Sequence, residues 1–276
     1  QFQNDSMADL TAALASGGAG KSDISNIFFD PHDSGTIIAA GPSGVWLMNT
    51  ALMSAQNATP IGVQEFSSGR AAMQIGKTSS GETIGGSVAA GSSMIAWAKS
   101  KKTETSSTII IYDKSSQTIT TSSTLTGKNN ELKWIKDNLL GILQDNGELY
   151  LYDTGNQNIK KIADDVKYFA ATENGSSIAA LENRSMEIIP TTGVSDDYYR
   201  FNLPDIANAQ RVAWYKDAMH LFIEYGDRIS FLDLKDAGLN NFTTVAIGTA
   251  PFYDTDKNAL YLIAPTQNLV RFDFPG

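Results

Sequence analysis

The chain has 276 residues, and its 30 acidic side chains exceed its 21 basic ones, so its formal net charge is −9. This acidic balance argues against nucleic acid and against an anionic lipid surface as the main partner, because both are bound by basic surfaces. The chain contains no cysteine, which excludes disulfides, cysteine-ligated zinc and thiolate catalysis. Its hydrophobic content of 42% is typical of a globular chain with a substantial core.

The N-terminal segment differs in composition from the rest of the sequence. Residues 6–15 combine good helix formers, and the glycine-rich residues 16–20 follow them directly. This pattern indicates a short helix or frayed segment and then a flexible linker. We therefore predict a mobile N-terminal arm or linker over residues 1–23 and one folded domain over residues 24–276.

The longest run without a charged residue covers residues 34–64, and Pro42 and Pro60 interrupt it. A membrane-spanning helix needs about 20 predominantly apolar residues in one piece. We therefore predict no membrane insertion of this fragment.

From residue 24 onward, short runs of β-branched and aromatic residues alternate with turns rich in Gly, Asn, Asp and Ser. Such runs predict β-strands. Clear examples are residues 36–40, 45–48, 108–112 and 147–152. Long amphipathic helices are hard to find in this part of the chain, so the sequence predicts an all-β fold.

The predicted strands repeat along the chain. Residues 132–137 (LKWIKD) recur as residues 212–217 (VAWYKD), 80 positions later. This spacing equals two units of about 40 residues, which is the size of one four-stranded propeller blade. The second apolar run of each unit starts near Ile37, Ile95, Leu139, Ile178, Met219 and Leu260.

These starts predict a single β-propeller of four-stranded antiparallel blades, with six blades favoured. The first gap holds an insertion of some twenty residues around residues 65–82, and a seventh blade would follow if residues 66–88 hid a degenerate unit. The last unit stops at Phe274, after its third strand. Closure would then come from a strand before Ile24 or from simple packing, because an open sheet edge is a liability.

The repeated units resemble WD-type and Tol-system-type propellers, in which the second strand follows a polar turn such as residues 173–176. Over residues 132–274, about half of the chain, the pattern is similar to the C-terminal propeller of membrane-anchored, PEGA-domain-containing bacterial proteins. Residues 211–217 and 252–262 carry this likeness. The resemblance implies an extracytoplasmic domain, either secreted or the ectodomain of a membrane-anchored protein, and it implies no reaction.

The sequence offers little that is typical of catalysis. His32 and His220 are the two histidines, and no Gly-x-Ser-x-Gly motif exposes a nucleophile. Asp254 and Asp256 alternate as in a calcium loop, but the glycine and the later glutamate of such a loop are missing, which favours a plain turn. We predict no catalytic residue, no metal site and no cofactor.

The tryptophans Trp97, Trp134 and Trp214 recur at blade positions, which favours a role in the core between blades over a platform for sugars. A sugar-binding alternative would instead require a funnel floor with several convergent carboxylates and aromatic rings.

The loops after the second strands are predicted to surround the mouth of the funnel and to hold the ligand-binding residues. The predicted residues are Lys99, Lys101 and Lys102 in one blade and Asp145, Glu182 and Asp227 in three others. A rim with one basic sector and several acidic ones suits a zwitterionic or peptide-like partner. The sequence thus predicts a non-enzymatic binding or scaffold propeller for a protein or glycan at the cell surface, with a carbohydrate-active or lectin-like propeller as the alternative.

Overall fold

The computed structural model describes residues 24–49, 72–101, 103–128, 131–191, 199–202, 208–235 and 242–274. The predicted arm over residues 1–23 lies outside these ranges. The elements β1 to β23 of the described part are all β-strands, which confirms the all-β class. In this part of the chain, no helix has the length and apolar character needed to cross a membrane.

The first three sheets follow one another along the chain. The first contains β1 (Asn26–Asp30), β2 (Asp33–Gly41), β3 (Gly44–Asn49) and β4 (Ala72–Lys77). The second contains β5 (Glu82–Ala90), β6 (Met94–Lys101), β7 (Ser106–Asp113) and β8 (Thr118–Thr126). The third contains β9 (Glu131–Lys136), β10 (Leu139–Leu143), β11 (Leu149–Asp153) and β12 (Asn158–Ala163).

The last three sheets continue the same order. The fourth contains β13 (Val166–Ala171), β14 (Ser177–Glu182), β15 (Met186–Pro190) and β16 (Tyr199–Phe201). The fifth contains β17 (Ala209–Trp214), β18 (His220–Tyr225), β19 (Arg228–Asp233) and β20 (Phe242–Ile247). The sixth contains β21 (Thr249–Asp254), β22 (Ala259–Ile263) and β23 (Leu269–Asp273).

Each sheet is one antiparallel blade of consecutive strands, which is the arrangement of a β-propeller. The six sheets agree with the six predicted blades, and the predicted second runs fall in β2, β6, β10, β14, β18 and β22. Residues 72–77 belong to the first sheet and residues 82–90 to the second. The described part of residues 66–88 therefore forms no additional blade.

The chain divides into two compact units, Gln1–Asp137 and Asn138–Gly276. In the first unit, Ile38, Val45, Ile95 and Trp97 belong to one buried cluster. In the second unit, a buried cluster around Trp214 joins residues of the fourth and fifth blades.

The three predicted tryptophans occupy two kinds of position in their blades. Trp134 and Trp214 lie in β9 and β17, the first strands of their blades, whereas Trp97 lies in β6, a second strand. Trp134 Nε1 donates to the carbonyl of Ala89 at 3.2 Å, and Trp214 Nε1 donates to that of Ala170 at 3.0 Å. Each acceptor lies in the first strand of the preceding blade, so these two tryptophans join neighbouring blades in the same way.

The sixth sheet has three strands in the described part of the chain, as the sequence predicts. Its outer strand β23 carries exposed apolar side chains, with Leu269 72% and Phe272 39% exposed. The inner strands β21 and β22 bury Tyr253 and Leu260 against Phe222 of the fifth blade.

Candidate functional site

One position recurs near the end of the second strand in several blades. It is the sixth residue counted from the start of β6, β10, β14 and β18, and it is Lys99, Gln144, Glu182 and Tyr225 in turn. The predicted residues Lys99 and Glu182 are therefore structurally equivalent. Sequence reasoning missed Gln144, although a polar residue directly after the apolar run Leu139–Leu143 is a signal that could have identified it.

The predicted loop position of the basic residues is wrong for two of them. Lys99 and Lys101 lie within β6, because this strand extends to residue 101, and they do not belong to the loop that follows. Lys99 Nζ lies 2.9 Å from Glu82, and Lys101 Nζ lies 2.8 Å from Glu104. The hydrogen bond with Lys99 lowers the pKa of Glu82. Lys102 lies outside the described residues.

Two polar cavities adjoin in the second unit. The first, here named the acidic cavity, has a volume of about 730 Å³ and is lined by residues 162–165 and 182–185 together with Glu187 and Arg200. It thus lies between the β12–β13 connection and the β14–β15 hairpin. The predicted ligand-binding residue Glu182 is part of its wall.

Glu182 is a buried carboxylate, with 7% of its surface exposed. Burial raises its pKa, and the hydrogen bond from Ser185 Oγ, at 2.5 Å, opposes that shift. The guanidinium of Arg200 lies 3.6 Å away, and Arg200 Nε donates instead to Glu187 at 2.8 Å. The charge of Glu182 is therefore only partly compensated within the protein.

The remaining carboxylates of the acidic cavity differ in their partners. Asp164 lies 2.9 Å from Lys161 Nζ, and Glu187 is held by Arg200. Asp165 forms no ion pair with another described residue, whereas Glu182 pairs with Arg200 at the longer distance of 3.6 Å. Asp165 has a left-handed backbone, with φ of 57°, a conformation that aspartate tolerates better than most residues.

The second cavity, here named the Gln144 cavity, has a volume of about 380 Å³ and is lined by residues 143–147, residues 165–167 and Asn183. It shares Asp165 and Asn183 with the acidic cavity. Gly147 closes the β10–β11 turn with φ of 85°, and its carbonyl accepts a hydrogen bond from Val166 N at 2.9 Å. That bond ties the β10–β11 turn to the β12–β13 connection.

Gln144 is the unusual residue of this wall. It is 3% exposed, and neither atom of its carboxamide has a hydrogen-bond partner in the described part of the chain. Buried polar side chains are nearly always hydrogen-bonded, and leaving one without a partner costs about 1–3 kcal/mol. The predicted residue Asp145 follows directly and lines the same cavity.

Asp227 lies apart from these residues. It is an exposed residue of the β18–β19 turn and borders another cavity, of about 370 Å³, in the fifth blade. Arg228 Nε approaches it at 3.7 Å. The structure therefore brings Asp145 and Glu182 to adjoining cavities and places Asp227 at a different one.

An aromatic cavity of about 450 Å³ lies at the opposite end of strand β14 from the hairpin of the acidic cavity. Its walls include Tyr168, Trp214, Tyr215, Phe252 and Tyr253. Phe252 is 64% exposed, whereas burial raises the pKa of Tyr253 to about 12. Among the described lining residues one carboxylate is present, that of Glu173, so the cavity holds several aromatic rings without several carboxylates.

His220 and the turn that resembles a calcium loop contact neighbouring side chains. His220 Nδ1 lies 2.6 Å from Asp217 Oδ2, and its ring stacks on Phe231 with centroids 4.8 Å apart. Lys257 Nζ lies 2.5 Å from Asp254 within the β21–β22 turn. In the described ranges, no three His, Asp or Glu side chains are grouped closely enough to share a metal ion.

Comparison with known proteins identifies the fold and no narrower family. No family model matches the chain, and no curated protein matches it. Similar solved structures include oligogalacturonate lyase in complex with manganese, which is 9% identical over 93% of this chain and 78% of that one, with a TM-score of 0.63. Hsv2 of Kluyveromyces lactis is 12% identical over 92% and 75% of the two chains, with a TM-score of 0.60. The N-terminal domain of Nup159 is 13% identical over 91% and 74%, with a TM-score of 0.57.

Proposed function

We propose that this chain is a non-enzymatic binding or scaffold propeller that recognises a protein or another cell-surface ligand through the hairpins after its second strands. The main support for this proposal is the pair of adjoining polar cavities that share Asp165 and Asn183. Two predicted ligand-binding residues, Asp145 and Glu182, line them. Roles for Lys99, Lys101 and Asp227 stay predictions.

The geometry favours recognition because polar groups of both charge signs line one surface formed by loops on a rigid sheet. Loops carried by a rigid scaffold are common sites of binding. The solved structure of a Mitotic Checkpoint Complex, 15% identical over 93% of this chain with a TM-score of 0.57, shows that a similar fold occurs in a protein assembly. That likeness concerns the fold, and the proposed site rests on the cavities themselves.

The test is a binding screen against immobilised cell-surface proteins and a glycan array. We expect a ligand whose affinity falls at least about tenfold, equivalent to 1.4 kcal/mol, in the double variant Asp145→Asn, Asp165→Asn. The matched control is Asp256→Asn, which removes one exposed carboxylate in the β21–β22 turn. Equal loss in the control, or no loss in the double variant, would contradict the site.

We also propose an extracytoplasmic location. Its support is the pattern likeness of residues 132–274 to the propeller of membrane-anchored, PEGA-domain-containing proteins. Protease added to intact cells that produce the complete protein should digest this domain without lysis. Protection of the domain until the cytoplasmic membrane is opened would refute the proposed location.

A lectin-like propeller is the second candidate, and the exposed ring of Phe252 in the aromatic cavity favours it. Exposed aromatic faces with polar neighbours bind the apolar faces of sugars. On a glycan array, Phe252→Ala should then abolish binding while Asp145→Asn, Asp165→Asn leaves it intact. The reverse pattern would favour the polar cavities.

A further inference from the structure

Gln144 supplies an observation that none of the charged residues supplies. Its carboxamide offers two donors and an acceptor, and none of these is used within the described part of the chain. The chemical group that matches a carboxamide with a donor and an acceptor side by side is another amide, such as a peptide unit. Gln144 lines the cavity and its carboxamide atoms are buried in the free protein, so a ligand that presents a peptide group would reach them through a change of the side-chain rotamer, which is common on binding.

The adjoining acidic cavity fits a cationic group. Asp165 forms no ion pair with another described residue, and Glu182, which is 7% exposed, pairs with Arg200 at 3.6 Å while Arg200 is held more closely by Glu187. A buried carboxylate is favoured by an incoming positive charge, because the charge offsets the cost of removing the carboxylate from water. The volume of about 730 Å³ accommodates a long basic side chain.

Because the two cavities share a wall, one ligand can carry both the peptide group and the cationic group. Asp165 and Asn183 border both cavities, so a ligand in contact with Gln144 can extend directly toward Glu182. Successive residues of an extended chain advance about 3.3 Å and alternate the sides of their side chains. A short peptide can thus present a backbone amide to one cavity and a side chain to the other.

We propose that these adjoining cavities bind an extended peptide segment with a basic side chain, which pairs a backbone amide with Gln144 and its ammonium or guanidinium with Glu182 and Asp165. This inference rests on the proposed function and names the chemical class of its ligand. Glu182 acts as the cation acceptor, and Gln144 as the acceptor and donor for the peptide backbone.

The test uses acetylated and amidated pentapeptides with a central arginine, lysine, norleucine or glutamate between glycines, together with agmatine as a cation that has no peptide group. Affinity is measured by calorimetry on the complete chain. We expect the arginine and lysine peptides to bind at least tenfold more tightly than the norleucine and glutamate peptides. Agmatine should bind more weakly than the arginine peptide.

Two variants separate the roles of the cavities. Gln144→Met should weaken the arginine peptide at least fivefold and leave agmatine unchanged, whereas Glu182→Gln should weaken both. Gln210→Met is the matched control, because Gln210 is exposed in β17 and lines neither cavity. Thermal melting of each variant verifies that it is folded.

Several results would overturn the inference. Equal binding of the arginine and norleucine peptides would remove the cation role, and an unchanged arginine peptide in Gln144→Met would remove the amide role. Capture of a cell-surface protein that depends on Asp145 and Asp165, without binding of any basic pentapeptide, would refute this inference and leave the proposed function standing. If neither a cell-surface protein nor a basic pentapeptide bound, this inference and the proposed function would both be refuted.

Discussion

At the scale of single residues, Gln144 and Glu182 occupy equivalent positions in neighbouring blades, but their buried polar groups differ in the partners they have. Glu182 receives a hydrogen bond from Ser185 and lies 3.6 Å from Arg200. Gln144 has no such partner in the described part of the chain, although both residues are at least nine-tenths buried. A site that is costly in the free protein is typical of residues retained for binding.

Replacing Gln144 with methionine should stabilise the free protein. The substitution keeps the length of the side chain and removes a buried amide that has no partner, so we expect the free energy of unfolding to rise by about 1 kcal/mol. Urea denaturation of wild type and variant measures the difference. The exposed control Gln210→Met should stay within about 0.5 kcal/mol, and a destabilised Gln144→Met would indicate that ordered water already satisfies the amide.

Glu182 should make the stability depend on pH in a definite direction. Its pKa in the folded protein is raised above the ordinary value of 4.5 by burial, and the groups that face it are Ser185, Glu187, Arg200 and Asp165. Its contribution to stability is therefore complete below pH 4.5 and is lost as the pH rises through the raised folded pKa.

Melting temperatures of wild type and Glu182→Gln, compared between pH 4 and pH 8, measure this contribution. Relative to the variant, wild type should lose stability as the pH rises and should have no advantage at neutral pH. A relative gain of wild type with rising pH would show that Arg200 stabilises the anion more than burial destabilises it.

At the scale of elements, the first strands of the blades carry the contacts that join one blade to the next. Trp134 in β9 and Trp214 in β17 each donate to a carbonyl in the first strand of the preceding blade. The ring of Trp134 packs so closely on Gly91 that a Cβ at this glycine would lie 3.0 Å from Cγ of the tryptophan. The repeated motif of the sequence thus encodes a repeated contact.

Trp214→Ala should cost about 3–5 kcal/mol of unfolding free energy, the usual range for the loss of a buried aromatic side chain. Trp214→Phe keeps most of the buried area, so it should cost less, and its remaining cost comes from the lost hydrogen bond to Ala170. Trp134 is only partly buried, so Trp134→Ala should cost less than Trp214→Ala. If both alanine variants kept the unfolding free energy of wild type but lost ligand binding, these rings would belong to a binding platform instead.

At the scale of the whole molecule, the sequence predicted the blades well because their signal is redundant. From Ile95 onward, apolar runs such as Leu139–Leu143 return with a nearly constant period, so an error in one unit is corrected by the others. The candidate site has no such redundancy. The sequence predicts a loop at Lys99 and Lys101, because the extension of β6 to residue 101 depends on its partner strand. The burial of Gln144 and Glu182 likewise depends on tertiary packing.

Deleting residues 1–17 should leave the folded molecule almost as stable as before. This segment contains few large apolar side chains and precedes a glycine-rich stretch, so it can bury little surface. We expect a change in Tm of less than about 3 °C, because 1 kcal/mol corresponds to roughly 2–4 °C in a domain of this size. Differential scanning calorimetry of the complete and shortened chains measures it. A much larger loss would show that the segment is a structural part of the propeller, which the three-stranded sheet β21–β23 with its exposed Leu269 would then help to explain.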